Sequence, residues 1–291
     1  MGTYAPGAMT VRRWIAGTAV LVGVSAVLVL SPRREGPPSA ASLDRDMVVV
    51  PAGWFTMGSP DGPEDERPAR RFYLDAFTID RTEVTNLQYR RFVLATGAAA
   101  PDHWAGTSFP PGAGLEPVVG VGWEEADAYC VWAGERLPTE AEWEKACRSS
   151  DARTYPWGSS WSSGRANVSV REVGDLDDAW RWLARPRSWL PMGPRRAGTC
   201  PGDVSPYGVL DLAGNVSEWV ADWYSWGGYA AWPVRNPVGT GPPWNRSVRG
   251  GAWLALTPSA VPPELVARCS TRNSSHSHDD PRVGFRCAGS A

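Results

Sequence analysis

Thiols and closely spaced carboxylates are the residues of this chain best suited to chemistry. Cysteines stand at Cys130, Cys147, Cys200, Cys269 and Cys287. Thiolates can attack a substrate, hold a soft metal such as copper(I), or close disulfides. Carboxylates gather in two places. Glu140, Glu142 and Glu144 alternate in the pattern of paired acid–base groups. Asp211 to Glu218, reading DLAGNVSE, offers hard oxygen donors at short intervals, which suits calcium. His276-Ser277-His278-Asp279-Asp280 is superficially a metal-binding tract, yet flanked by Ser and Asp it reads as a solvated loop. His103, in PDHW, has no recognisable partner and is taken as an ordinary surface or core histidine.

The elements that must position these groups are clearest around Cys130 and Cys147. Trp123, Ala126, Cys130 and Ala133 recur at helical spacing, Glu124 and Glu125 fall in the first turn, and Gly134 supplies a stop. Thr139-Glu140-Ala141-Glu142 has the form of a capping box and predicts a second helix, with Pro138 and Trp143 placed as its hydrophobic staple. Capping accounts for Glu142, and internal salt links are expected to occupy Glu140 and Glu144. Arg249, Arg268, Arg272 and Arg286 are expected to support buried loops. Trp223, Tyr224, Trp226, Tyr229 and Trp232 could line a groove, but core packing is the expectation for most of them. Cys200 lies in RRAGTCPGD, a turn-like setting, and is expected to be an exposed spare thiol or a chance occurrence, not a nucleophile.

Composition suits a globular protein: 43% of residues are hydrophobic, and 31 Gly and 27 Pro are interleaved with 17 Trp, suggesting loops pinned by aromatic anchors. A net charge of -2 gives no sign of nucleic-acid binding. Arg12-Arg13, an uncharged run from Trp14 to Ser31 and then Arg33-Arg34 mark a targeting or anchoring segment. The run would just reach across a bilayer core of roughly 30 Å. Residues 1–34 are therefore expected to be a signal peptide or N-terminal membrane anchor, 35–45 a linker, and 46–288 one domain. The location implied is extracytoplasmic, periplasmic or cell-surface, with the protein secreted or membrane-anchored.

The run WAGERLPTEAEWE (Trp132 to Glu144) closely resembles the signature of the formylglycine-generating enzyme family, the sulfatase-modifying factors. The resemblance continues in order through VVVPAGWFTMGS (Val48 to Ser59), DRTEVTNLQYRRF (Asp80 to Phe92), YPWG (Tyr155 to Gly158), YGVLDLAGNVSEW (Tyr207 to Trp219), SVRGGAW (Ser247 to Trp253) and VGFRC (Val283 to Cys287). It implies an α+β fold, the sulfatase-modifying factor variant of the C-type-lectin-like fold, with little regular secondary structure. It implies disulfides Cys130 to Cys287 and Cys147 to Cys269. It also implies structural calcium held by Asp211 and Glu218 with the Gly214 and Val216 carbonyls. A second site would use Asn167, the Val168 carbonyl and a downstream acid, for which Asp178 with the Trp180 carbonyl fits best and Asp175 and Asp177 compete. The sequons at Asn167, Asn215, Asn245 and Asn273 then mean little, since the first two fall in those loops.

The resemblance breaks where the chemistry should be. Family members that make formylglycine oxidise a substrate cysteine with a copper-holding pair of thiols in a G-G-S-Y-x-C-x-x-x-x-C arrangement. Here alanine occupies both positions, Ala255 and Ala260, and Ala252 replaces the serine. No cysteine lies between Cys200 and Cys269 to restore the pair. The iron-binding sulfoxide synthases of the superfamily need a histidine-rich motif that three histidines do not supply. The expectation is an exported domain without copper, a non-oxidase binding or accessory protein for a peptide, glycan or protein partner. The alternative is a formylglycine-generating-type oxidase, or another oxidation on the same scaffold.

Overall fold

In the computed structural model, residues 45–174, 192–257, 261–275 and 279–291 are described. The amino-terminal segment predicted for 1–34 lies outside them, as does the linker up to residue 44. Strands β1 (Met47–Val50) and β4 (Phe77–Asp80) pair antiparallel, and the last strand, β11 (Ala288–Ser290), pairs with the other edge of β4. Val48 and Ala288 both register with Ile79, so the two ends of the described chain meet across one strand. The fold thus runs past the expected boundary at 288. Between β1 and β4, the antiparallel hairpin β2 (Gly53–Met57) and β3 (Arg70–Leu74) turns Phe55, Met57, Phe72 and Leu74 inward.

Three longer helices follow. Helix α1 (Asn86–Thr96) starts on a capping box of Thr85 and Gln88 and ends at Gly97, whose φ of 75° suits glycine. Helix α2 (Trp123–Trp132) ends at the predicted place, with Gly134 at φ 82°, and Glu125 accepts from the Gly122 amide at 2.7 Å. Helix α3 (Glu140–Arg148) has the predicted box: Thr139 Oγ1 accepts from Glu142 N at 3.2 Å, and Glu142 accepts from Thr139 N at 2.8 Å. Every residue of α3 is buried. A buried helix is normally apolar all round, so this one requires partners for each of its charges.

The second half builds the platform of the site. Strand β5 (Val170–Glu172) pairs parallel with β8 (Ala255–Thr257). A four-stranded sheet has the order β10 (Val283–Phe285), β6 (Ser217–Trp223), β7 (Arg246–Arg249), β9 (Arg272–Ser275). The short helix α4 (Pro263–Val266) precedes β9. Disulfides join Cys130 of α2 to Cys287, and Cys147 of α3 to Cys269, spanning 157 and 122 residues. Loop entropy rates each at about 5 kcal/mol. Aromatic anchors pin the loops as expected: Trp219 donates to the Val121 carbonyl at 2.9 Å and Trp123 to that of Val220 at 2.8 Å. Between Trp123 and Trp223 lies the Arg246 guanidinium, 3.3 Å from each ring centroid. Elements are short and loops long, an α+β architecture with little regular structure, and the described residues fall in one compact unit.

Candidate functional site

A cleft of about 340 Å³ opens where Gly250 to Thr257 passes between β9 and β8. Its floor is fixed by glycine. A Cβ on Gly250 would lie 3.0 Å from the Leu212 carbonyl oxygen, and one on Gly251 only 2.5 Å from that of Ala213. Gly250 also has a φ of 78°. Beyond them Trp253 is buried, with its amide bonded to the Asn215 carbonyl at 2.8 Å and its indole to that of Pro281 at 3.3 Å. Ala255 N donates to the Ser169 carbonyl at 2.8 Å. Ala252 and Ala255 therefore line the cleft with methyl groups, and no cysteine is among its lining residues. Ala260 lies outside the described residues.

The remaining thiol is elsewhere and differs from expectation. Cys200 is buried rather than exposed, because a tight turn closed by Asp203 N on the Cys200 carbonyl folds it inward. Burial, reinforced by Asp211 and Asp203, pushes its thiol up to about 12, so it stays protonated and a poor nucleophile. The aromatic stretch also packs inward for the most part. Tyr224, Tyr229 and Trp232 are buried, Trp226 is exposed, and none of them lines the cleft. His103 is exposed, and His276 and His278 lie outside the described residues.

Beneath the cleft sits a buried ion network around α3. Arg249 reaches Glu140 at 2.7 Å and Glu144 at 2.6 Å, Arg272 reaches Glu140 at 2.5 Å, and Arg148 reaches Glu144 at 2.7 Å. Burial opposes the charge on Glu140, but Arg272 and Arg249 overcome it and hold its carboxyl below the usual range. Asp222 accepts from the Glu140 amide at 2.7 Å; burial, then the charge of Glu140, push it up to about 7. Glu140 and Glu144 are thus structural, as their sequence setting predicts. Arg268 pairs with Glu66 at 2.6 Å, so the predicted supporting arginines all have carboxylate partners.

A second buried cluster contains Asp211 and Glu218. Glu218 receives Arg286 on both oxygens, at 2.6 and 2.7 Å, and the Trp143 indole at 2.8 Å. Asp211 Oδ2 accepts from Gly198 N at 2.5 Å, while its Oδ1, Asp203 Oδ1 and Glu83 Oε2 are buried without a hydrogen-bond partner. Burial and then Asp211 push Asp203 up to about 8 and lift Glu83 well above the ordinary carboxylate range. Asn215 is the hub of this region: Oδ1 accepts from Arg195 N at 2.7 Å and from Asn167 Nδ2 at 3.1 Å, and Nδ2 donates to Glu83 at 2.8 Å. Asn167 and Asn215 are both buried, which leaves no room for a glycan at either. Asn167 also donates to the Gly193 carbonyl at 3.0 Å, and Val168 packs at the rim of the Tyr155 cluster. Asp178 and Trp180 lie outside the described residues.

Sequence reasoning missed Glu83, Asp203 and Asn215. Glu83, in Arg81-Thr82-Glu83-Val84-Thr85, has mostly polar neighbours and carries no local sign of burial. The surplus of carboxylate over guanidinium and the unpartnered Asp211 oxygen fit a cation in charge. Among the described residues, however, no three His, Cys, Asp or Glu side chains converge as metal ligands. Main-chain carbonyls would have to complete the donor set.

The model of the sulfatase-modifying factor enzyme 1-like domain matches residues 33–291. The formylglycine-generating enzyme of Streptomyces coelicolor is 33% identical, over 93% of this chain and 97% of that protein. Mouse inactive C-alpha-formylglycine-generating enzyme 2 is 31% identical, over 85% of this chain and 87% of its own length. Among solved structures, PvdO from Pseudomonas aeruginosa superposes with a TM-score of 0.64 at 23% identity, covering 89% of this chain and all 100% of PvdO. That likeness concerns the fold alone.

Proposed function

This chain belongs to the sulfatase-modifying factor family, and from that premise we propose a member without copper-dependent oxidation, which binds a peptide, glycan or protein partner in its cleft. One observation carries the reading: the cleft is lined by methyl groups at Ala252 and Ala255 where the family resemblance calls for serine and cysteine. Cysteines Cys130, Cys147, Cys269 and Cys287 are consumed in disulfides and Cys200 is buried away from the cleft, so no thiol is at hand to hold copper(I). A relative named inactive supports the idea that the scaffold outlives the oxidase reaction.

The test offers the purified protein a Cys-x-Pro-x-Arg peptide with copper and oxygen. The expected result is no aldehyde and no tight copper(I) site. Catalytic formation of aldehyde would overturn the reading in favour of an oxidase, the alternative that the 33% identity to the Streptomyces enzyme supports.

Calcium belongs to this proposal as a structural ion. Of the expected ligands, Glu218 is engaged by Arg286 on both oxygens, so Asp211 with the Gly214 and Val216 carbonyls would hold it while Glu218 keeps Arg286 in place beside it. The ion would supply charge neutralisation to a loop rather than chemistry. Export is part of the same reading, supported by the disulfides and by the apolar run from Trp14 to Ser31.

A further inference from the structure

Resting on the reading that the apolar run from Trp14 to Ser31 holds the chain in a membrane, we propose that the outer face of the β2–β3 hairpin lies against the surface of that bilayer. The hairpin has two unlike faces. Phe55, Met57, Phe72 and Leu74 are buried in the core. On the other face, cross-strand register sets Trp54 opposite Tyr73 and Thr56 opposite Arg71. Their side chains continue into a row. The Arg71 guanidinium stands 5.2 Å from the Trp54 ring centroid, Trp54 meets Tyr73 edge to face at 5.6 Å, and the Arg235 guanidinium stands 4.8 Å from the Tyr73 centroid. Trp54 is 47% exposed, and Arg71 and Arg235 are exposed with it.

A row of this composition suits the boundary between lipid and water. Indole and phenol rings rest at headgroup depth, where one end meets hydrocarbon and the other stays wet. Guanidinium groups meet lipid phosphate at the same depth. Charge agrees with this, since β2 and β3 hold Arg70 and Arg71 and no acid. Arg70 is committed to the carbonyls of Tyr229, Ala230 and Trp232, and Arg235 pairs with Asp75. Arg71 forms no ion pair among the described residues, so its charge is available to phosphate. Trp226 and Trp244 are more exposed, at 68% and 69%, but no guanidinium stacks on either among the described residues. They lack the anion-binding half of the pair.

The chain outside the described residues limits how far the domain can retreat. Residues 32–44 link the apolar run to Arg45, and fully extended they reach roughly 45 Å. A folded unit of this size is about as wide. Trp54 lies within roughly 30 Å of Arg45 along the chain. The tether therefore keeps the hairpin at high effective concentration beside the bilayer, where a small interfacial patch is enough for contact.

The experiment reconstitutes the full chain into vesicles of phosphatidylcholine and phosphatidylglycerol that contain a phosphatidylcholine with a diazirine near its headgroup. After illumination, labelled peptides are mapped by mass spectrometry. Label is expected in the apolar run and in the hairpin strands, 53–57 and 70–74. Raising salt from about 0.1 to 1 M, which shortens screening from roughly 10 to 3 Å, should lower hairpin label severalfold and leave that of the run unchanged. Arg71→Gln should lower hairpin label roughly fivefold, and Trp54→Ser with Arg71→Gln further still. The salt comparison uses the unaltered protein, so it does not depend on how the variants fold. Label in the run alone, or around Trp226 and Trp244 in place of the hairpin, would overturn the inference while leaving the anchor in place. Label in neither run nor hairpin would overturn both. None of these outcomes bears on aldehyde formation, so the non-oxidase reading is judged separately.

Discussion

The two buried charge clusters share a tryptophan and solve opposite problems. Trp143 lies with its ring 5.3 Å from the Arg249 guanidinium of one cluster and gives its indole N–H to Glu218 of the other. Around α3, Glu140, Glu144 and Asp222 face Arg148, Arg249 and Arg272, so carboxylates and guanidinium groups match. Around Asp211, the acids Glu83, Asp203, Asp211 and Glu218 have one ion-pair partner among the described residues, Arg286 on Glu218. A matched set locks a buried helix in place without outside help. An unmatched set holds protons or recruits a cation, because isolated buried charge is too costly.

The largest break in this comparison is Arg249→Ala, which leaves Glu140 and Glu144 buried with less compensation. A loss of about 3–5 kcal/mol is expected by chemical denaturation, and a change below about 1 kcal/mol would show that the network does not bind α3. Next comes calcium removal. At about a hundredfold excess over Kd, a bound ion contributes about 2.7 kcal/mol, so chelation should lower Tm; an unchanged Tm would mean that protons, not calcium, settle the Asp211 cluster.

The smallest effect is the pH response with calcium held saturating. Asp222 is raised from 3.8 to about 7, so the folded state binds more protons than the unfolded one in that window. Its stabilising share is complete below 3.8 and is lost as pH rises through about 7. Thermal unfolding across this range should therefore show Tm falling with pH, and a flat or rising profile would sharpen the matched cluster into one without a titrating member.

The sequence was legible where signals were local. The α2–α3 turn could be read because caps, stop glycine and helical spacing all lie within a few residues of one another. The disulfides followed from resemblance, not from spacing. The carboxylates of α3 were recognisable as salt-bridged in kind but not in partner, since Arg249 stands 109 positions from Glu140 and Arg272 stands 132. Glu83 was silent for the same reason, its Asn215 contact spanning 132 residues. Cys200 misled because a Gly- and Pro-rich turn usually faces solvent, whereas this one is folded against Asp203 and Asp211.

The β1–β4–β11 ladder, in which the closing strand completes the sheet begun by the opening one, bears on how the protein is made. Strand β4 gains its second partner only when residues 288–290 arrive, and the thiols of the helical pair wait for Cys269 and Cys287. A nascent chain emerging in vectorial order must keep half of that sheet and both helices unsecured until residues 269 to 290 have been delivered. Truncation before residue 288 would therefore forfeit the architecture of the beginning.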